Sequence, residues 1–136
     1  MLNGKLLSHA IDRSIGFGAV FCILFLFQGT SAFAAHVHKE KYYQEKWCSE
    51  HNGQAEVVLP DKTRADCVTD THAIEFDFGK KWAESLGQAL YYSLQTGKKA
   101  GIVLILESPK DRKYFIRLNS TIQHFSLPID TWEMSN

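Results

Sequence analysis

The fold of this chain is decided by residues 64–92, which read RADCVTDTHAIEFDFGKKWAESLGQALYY. Two short runs of strand-forming residues, at 63–69 and 72–78, predict β-strands joined by a tight turn. From residue 79 to residue 96 apolar side chains recur at steps of three and four, which predicts a helix, and Gly97 is typical of a helix end. Adjacent strands that lead directly into a helix indicate a fold that mixes the two kinds of element.

The sequence before this stretch adds one helix and one strand. Residues 36–51 predict a helix because their bulky residues recur at helical spacing, and Asn52-Gly53 is a helix-stop signal. Residues 54–59 predict a short strand that a turn connects to the strand over 63–69. Three consecutive short strands with tight connections predict a meander.

The sequence after Gly97 predicts a buried strand and a helix. Residues 101–107 read GIVLILE, a continuous apolar run that is typical of a strand covered on both faces. Pro109 opens a helix predicted to extend to residue 118, and the tail over 120–132 adds one short strand. The order α-β-β-β-α-β-α predicts an α/β fold, a small mixed β-sheet flanked by helices on both faces.

Residues 1–34 have the composition of a secretory signal peptide. Lys5 and Arg13 give a mildly positive start, and residues 15–27 form an unbroken apolar run. That run is shorter than the roughly 20 residues that a membrane-spanning helix needs, and it has the length of a signal-peptide core. Ala32-Phe33-Ala34 places small residues before a cut ahead of Ala35. The alternative is an uncleaved membrane anchor.

Cleavage would leave residues 35–136 as a single exported domain, periplasmic or secreted, with no membrane attachment. This part carries 13 basic and 14 acidic residues. Its near-neutral charge argues against a protein that coats nucleic acid by bulk charge, although a local basic rim is compatible with it. Cys48 and Cys67 predict a disulfide in an exported domain, against the alternative of two buried free thiols.

Three acidic residues are expected to converge on one face of the two central strands. Side chains alternate along a strand, so Glu75 and Asp77 share one face, and Asp66 on the preceding strand joins them while Cys67 faces the opposite way. Carboxylates packed together repel each other unless a cation lies between them. Oxygen ligands of this kind suit Mg²⁺ or Mn²⁺, as one or two ions with waters completing the shell.

The arrangement resembles the PD-(D/E)XK nuclease superfamily, which has the restriction-endonuclease-like fold. Asp66, then Glu75-Phe76-Asp77, then Gln88-Ala-Leu-Tyr91-Tyr92 match the order of that family's motif and of the Gln-x-x-x-Tyr helix of its RecB-like branch. The resemblance covers about residues 40–107. It implies an αβββαβ core and metal-dependent hydrolysis of phosphodiester bonds in nucleic acid, with Asp66, Glu75 and Asp77 at the metal and Gln88 and Tyr92 lining the site.

One position departs from the family pattern. The family has a lysine two residues after the glutamate, and this chain has Asp77 there. Lys81, one helical turn onward, lies on one stripe of the helix with Glu84, Gln88 and Tyr92 and is the candidate to replace that lysine as a catalytic residue. It would position the attacking water or stabilise a developing oxyanion.

Each of these residues also has a purely structural interpretation. Asp66 could be a solvated strand-edge acid paired with Arg64, Lys81 a surface lysine paired with Glu84, and Tyr92 a half-buried core residue. The domain as a whole could have kept the fold and lost the chemistry, acting as a binding or interaction module. A third interpretation is an exported α/β domain unrelated to nucleases. The residues favour neither DNA nor RNA and predict no oligomeric state.

Overall fold

A mixed five-stranded sheet in the order β1-β2-β3-β4-β5 forms the centre of the protein. The structure is a computed structural model that describes residues 35–136, and the predicted signal peptide over 1–34 lies outside the described residues. In chain order, the elements are α1 (Glu40–Glu50), β1 (Gln54–Val58), β2 (Arg64–Val68), β3 (His72–Phe78), α2 (Trp82–Thr96), β4 (Lys99–Ile105), α3 (Arg112–Phe125) and β5 (Ile129–Met134). Single turns of 3₁₀-helix at Gly79–Lys81 and Pro109–Asp111 precede α2 and α3.

The strand directions follow from the lengths of the connections. Short turns join β1 to β2 and β2 to β3, and these pairs are antiparallel. Helices α2 and α3 carry the chain back across the sheet, so β3, β4 and β5 are parallel to one another. The prediction of an α/β fold with a small mixed sheet is confirmed, and the α-β-β-β-α-β order is present from α1 to β4.

Helices cover both faces of the sheet. On one face α1 contributes Trp47 and Cys48, which pack with Phe76 and Val103. On the other face α2 and α3 pack against alternate residues of β4, with Ala89 and Leu118 among the buried contacts. Because β4 lies between these two layers, its sequence is apolar at successive positions rather than alternate ones.

The predicted Cys48–Cys67 disulfide is present and ties α1 to β2, with the two Cα atoms 5.9 Å apart. Gly53, just after α1, lies directly against it. A Cβ atom at Gly53 would come within 2.5 Å of the Cys67 Sγ and 2.7 Å of the Cys48 Sγ. The backbone can therefore pass the bridge only where a side chain is absent. Cys67 packs on the α1 face of the sheet, away from the predicted acidic face.

Several predicted boundaries are wrong. Strand β4 covers Lys99–Ile105 and not 101–107, and helix α2 begins at Trp82, after the 3₁₀ turn, and not at residue 79. Helix α1 begins at Glu40 and not at His36, because the carboxylate of Glu107 accepts the backbone N–H groups of Val37 (2.9 Å) and His38 (3.3 Å) and holds this segment away from the helix. Helix α3 continues to Phe125, beyond the predicted end at 118. Its last turns stay helical because Ile122 packs against the core. The predicted tail strand is β5, displaced toward the C-terminus.

Within residues 35–136, no helix combines the length and the apolar character that crossing a membrane requires.

Candidate active site: a buried acidic cluster

Asp66 lies where β2 separates from β3. Only Cys67 with Ile74 and Val68 with Ala73 are paired between these strands. Beyond these pairs the Asp66 side chain, and not a backbone carbonyl of β2, accepts the hydrogen bond from β3: the Phe76 N–H donates to Asp66 Oδ2 over 2.8 Å. This bond turns the carboxylate inward, toward β3. Asp66 is therefore not the solvated edge acid of the structural interpretation.

Arg64, the residue predicted to pair with Asp66 in that structural interpretation, pairs instead with Glu56. Arg64 Nε lies 2.7 Å from Glu56 Oε2 on the neighbouring strand. Glu56 has a positive φ of 57°, an uncommon conformation for a residue other than glycine. Ala55 before it packs with the α1-side core, whereas Val57 after it packs with Tyr92 on the α2 side. The irregular residue thus lets β1 change faces beside Asp66.

Glu75 and Asp77 lie on the face of β3 that α2 covers, and both are almost fully buried. Their exposed fractions are 4% and 2%, although acidic residues are rarely buried to this degree without a partner. The charges of Asp66 and Asp77 both act on the Glu75 carboxyl group, so the three acidic residues lie near one another.

Helix α2 presents donors to Asp77. Lys81 Nζ lies 3.2 Å from Asp77 Oδ1. The Ser85 hydroxyl donates a hydrogen bond to Asp77 Oδ2 at the same distance, 3.2 Å. Burial raises the pKa of Asp77, while Lys81 and Ser85 oppose that shift. The negative charge of Asp77 raises the pKa of Lys81. The lysine thus pairs with Asp77 and not with Glu84, and it reaches the cluster through Asp77.

Ser85 belongs to the site but was not predicted from the sequence. It is fully buried, one helical turn beyond Lys81. The spacing from Lys81 to Ser85 and on to Gln88 and Tyr92 was available as a signal, but a serine in a helix is common enough to pass unnoticed. The acidic Glu84 was assigned to this stripe instead, and in the structure it is exposed.

Tyr92 and Gln88 close the far side of the cluster. Tyr92 is buried, and burial together with the charge of Glu75 raises the pKa of its hydroxyl to about 12. Gln88 is exposed and its Nε2 lies 3.4 Å from the Tyr92 hydroxyl. Tyr92 packs with Ala65 and Ala73 in the core, as the structural interpretation has it, while the charge of Glu75 acts on its hydroxyl group. Gln88 reaches the cluster only through Tyr92.

Glu75 is the least compensated group of the cluster. Burial, then the charges of Asp66 and Asp77, raise its pKa well above the ordinary value of 4.5. Among residues 35–136 its Oε2 is the one buried side-chain oxygen or nitrogen without a hydrogen-bond partner. An orphaned buried oxygen of this kind is costly. The pKa of Asp66 is raised as well, mainly by burial.

A fourth carboxyl group faces the cluster from α1. Glu40, the first residue of that helix, has its pKa raised to about 7 by burial and by the charges of Asp77 and Asp66. No sequence pattern predicts this role, because an acidic residue at a helix start is common. The positive charge of Lys81 acts on two of these carboxyl groups, Glu40 and Asp77, and opposes the rise in their pKa.

The residues fit a hard divalent cation held by few protein ligands. No three His, Cys, Asp or Glu side chains of the described part of the chain are arranged so that they could hold a metal ion, so the predicted three-carboxylate set is not assembled as such. Mg²⁺, however, is commonly bound through one or two carboxylates and keeps several waters. The neighbouring carboxylates of Asp66 and Glu75, with the orphaned Glu75 Oε2, supply that smaller set.

Comparisons with protein-family models, with curated proteins and with solved structures find no match for this chain.

Proposed function

We propose that this protein is an exported metal-dependent nuclease that hydrolyses phosphodiester bonds of nucleic acid. The observation that carries the proposal is the Glu75 Oε2 atom, which is buried and unpartnered among residues 35–136. The negative charges of Asp66 and Asp77 act on its carboxyl group and raise the pKa of that group. Within residues 35–136 no hydrogen-bond donor reaches this oxygen, and a bound cation would satisfy it.

Asp66 and Glu75 would hold Mg²⁺ or Mn²⁺, as one or two ions. When bound, such an ion neutralises phosphate charge and lowers the pKa of a coordinated water. Asp66 keeps its carboxylate in place by accepting the Phe76 N–H. Tyr92, packed against the core, fixes the position of Glu75 from the other side.

Lys81 would act on the substrate side of the site. Its side chain is 54% exposed while its ammonium group stays 3.2 Å from the buried Asp77. The raised pKa keeps it charged at neutral pH, so it can stabilise negative charge that develops on a phosphate oxygen or hold the attacking water. Asp77 is then a positioning residue for Lys81, and Ser85 orients Asp77 by its hydrogen bond.

The order of elements supports the same proposal. The resemblance to the PD-(D/E)XK superfamily implies an αβββαβ core with an acid on the second strand, an acid on the third and a Gln-x-x-x-Tyr motif on the next helix. Asp66 lies on β2, Glu75 on β3, and Gln88 and Tyr92 on α2.

A second candidate is a fold of the same kind that acts as a non-catalytic binding module. The observation that favours it is the ion pair of Lys81 with Asp77, because a lysine neutralised by its own neighbour offers less charge to a substrate. In that case the acidic cluster would bind no substrate phosphate, and the surface outside it would contact the partner.

The test is a cleavage assay on single- and double-stranded DNA and RNA, with Mg²⁺, with Mn²⁺ and with EDTA. We expect metal-dependent cleavage of at least one substrate, and a loss on the order of 100-fold in Glu75→Gln and in Lys81→Ala, the size expected for a lost transition-state contact. Glu84→Gln, an exposed acid on the same helix, is the matched control and should cleave as the wild type does. A folded wild type that cleaves none of the four substrates with either metal contradicts the nuclease proposal and favours the binding module.

A further inference from the structure

A cavity of about 390 Å³ lies across the ends of β3 and β4. Its walls come from the residues that follow these strands, from the start of α3 and from the segment before α1, including Phe78, Lys80, Glu107, Lys110, Lys113 and Tyr114. The strands β3 and β4 are parallel, and the carboxyl ends of parallel strands are where α/β proteins commonly bind ligands. The volume falls within the range of about 300–1,000 Å³ that small-molecule sites occupy.

The acidic residues of this cavity are already engaged. The Glu107 carboxylate accepts hydrogen bonds from the Tyr43 hydroxyl (2.8 Å), from two backbone N–H groups and from the His36 ring (2.7 Å). Although burial opposes it, these contacts lower the pKa of Glu107. Asp111 accepts the backbone N–H of Ser108 in the capping box that opens the turn before α3.

The three lysines of the cavity are not paired with acidic residues, and the Lys113 ammonium group lies over the Tyr114 ring, 4.9 Å from its centroid. Lys80, Lys110 and Lys113 are exposed, and none of the ion pairs formed within residues 35–136 includes any of them. Unpaired ammonium groups around a concave surface attract anions, because the low-dielectric walls concentrate their field. The charge of the cavity therefore selects a ligand that carries phosphate or another anion.

Aromatic rings form the rest of the wall. The His36 ring stacks on Phe78 with the ring centroids 3.5 Å apart, and Tyr114 lies against Gly79. A Cβ atom at Gly79 would come within 2.9 Å of the Tyr114 ring, so the glycine lets the tyrosine approach the end of β3. Flat rings beside cations are what proteins that bind single-stranded nucleic acid use to stack bases and hold the backbone.

We propose that this cavity binds one nucleotide of a single-stranded nucleic acid, with its phosphate at Lys110 and Lys113 and its base against the aromatic wall. This inference rests on the proposed function, because it identifies single-stranded nucleic acid as the substrate of the proposed nuclease. Phe78 directly follows Asp77, and Lys80 directly precedes Lys81, so a strand seated here would lead toward the acidic cluster. A base held in a duplex is stacked and paired, and cannot enter a cavity of this size.

The test is the affinity of the purified protein for a short fluorescent single-stranded DNA, measured by anisotropy in EDTA. Without a divalent metal, binding is separated from cleavage. In the double variant Lys110→Ala/Lys113→Ala we expect affinity to fall on the order of ten-fold, and the salt dependence of log K to become shallower by about 1 for each lysine. The matched control is Lys46→Ala/Lys62→Ala, which removes the same charge from exposed lysines outside the cavity and should bind as the wild type does.

Three outcomes would overturn the inference. They are a cavity variant that binds within two-fold of the control, a duplex that binds as tightly as the single strand, and inorganic phosphate that displaces the probe as well as a nucleoside monophosphate does. A thermal melt of each variant ensures that loss of binding is not loss of folding. If binding depends on Lys110 and Lys113 but no cleavage is found, the nuclease proposal fails while the nucleotide cavity stands.

Discussion

At the scale of single residues, Glu75 shows how far sequence pattern reaches. Strand alternation was enough to predict that Glu75 and Asp77 share a face and that Asp66 joins them. It could not predict that the face is sealed by α2, because burial depends on which helix packs there. The unpartnered Oε2 atom follows from that packing, and so does the role of Ser85 as a donor to Asp77.

The pH dependence of stability tests the state of Glu75. Its pKa is raised in the folded protein, so above its ordinary value of 4.5 the unfolded chain loses this proton while the folded protein keeps it. The folded state then binds more protons, and stability falls as pH rises toward the folded pKa. Glu75→Gln removes this effect. In EDTA, we expect the variant to gain relative stability by up to about 1 kcal/mol per pH unit from about pH 5 to about pH 8.

Urea denaturation at several pH values, with Glu84→Gln as the control, measures this difference. The control residue is exposed, and its variant controls for the loss of one acidic side chain from α2. A stability difference between Glu75→Gln and the wild type that does not vary with pH would mean that the Glu75 carboxyl group titrates normally, and the buried-acid account of the site would be wrong.

At the scale of elements, spacing predicted the helices and strands better than their ends. The His72–Phe78 strand was predicted with its observed bounds, because its alternation is unbroken. The start of α1 was misplaced because a distant residue, Glu107, holds the segment before it. Helical spacing placed Glu84 on the site-facing side of α2, whereas in the structure Ser85 lies there. The turn at Gly79–Lys81 sets the rotation of α2 about its axis, and this rotation decides which of the two neighbouring residues faces the sheet.

The disulfide makes a prediction at this scale, because it joins α1 to β2. The bridged cysteines are 19 residues apart, and closing a loop of that length stabilises a protein by about 3 kcal/mol in the chain-entropy model. We expect Cys48→Ala/Cys67→Ala to lose about that much in urea denaturation. Reducing agent should destabilise the wild type to a similar degree and leave the double variant unchanged. A wild type insensitive to complete reduction would contradict a stabilising role for the bridge.

At the scale of the whole molecule, layers were predictable and long-range neighbours were not. The continuous apolar run of β4 correctly indicated a sheet with helices on both faces. The lysine-lined cavity draws on segments near residues 36, 78–80 and 107–114, and no local pattern links these. Glu40 meets the acidic cluster for the same reason, since only the packing of α1 brings it there.

The central claim is that Asp66 and Glu75 together hold a divalent cation, and the stability gained from Mn²⁺ tests it most directly. A ligand that binds only the folded state stabilises it by about 2.7 kcal/mol at 100 times its dissociation constant. We predict that increasing Mn²⁺ raises the Tm of the wild type and of Lys81→Ala, and that Asp66→Asn and Glu75→Gln, both folded in EDTA, show no such gain. A wild type whose Tm does not change with Mn²⁺, or a Glu75→Gln variant that gains as much as the wild type, would contradict the account.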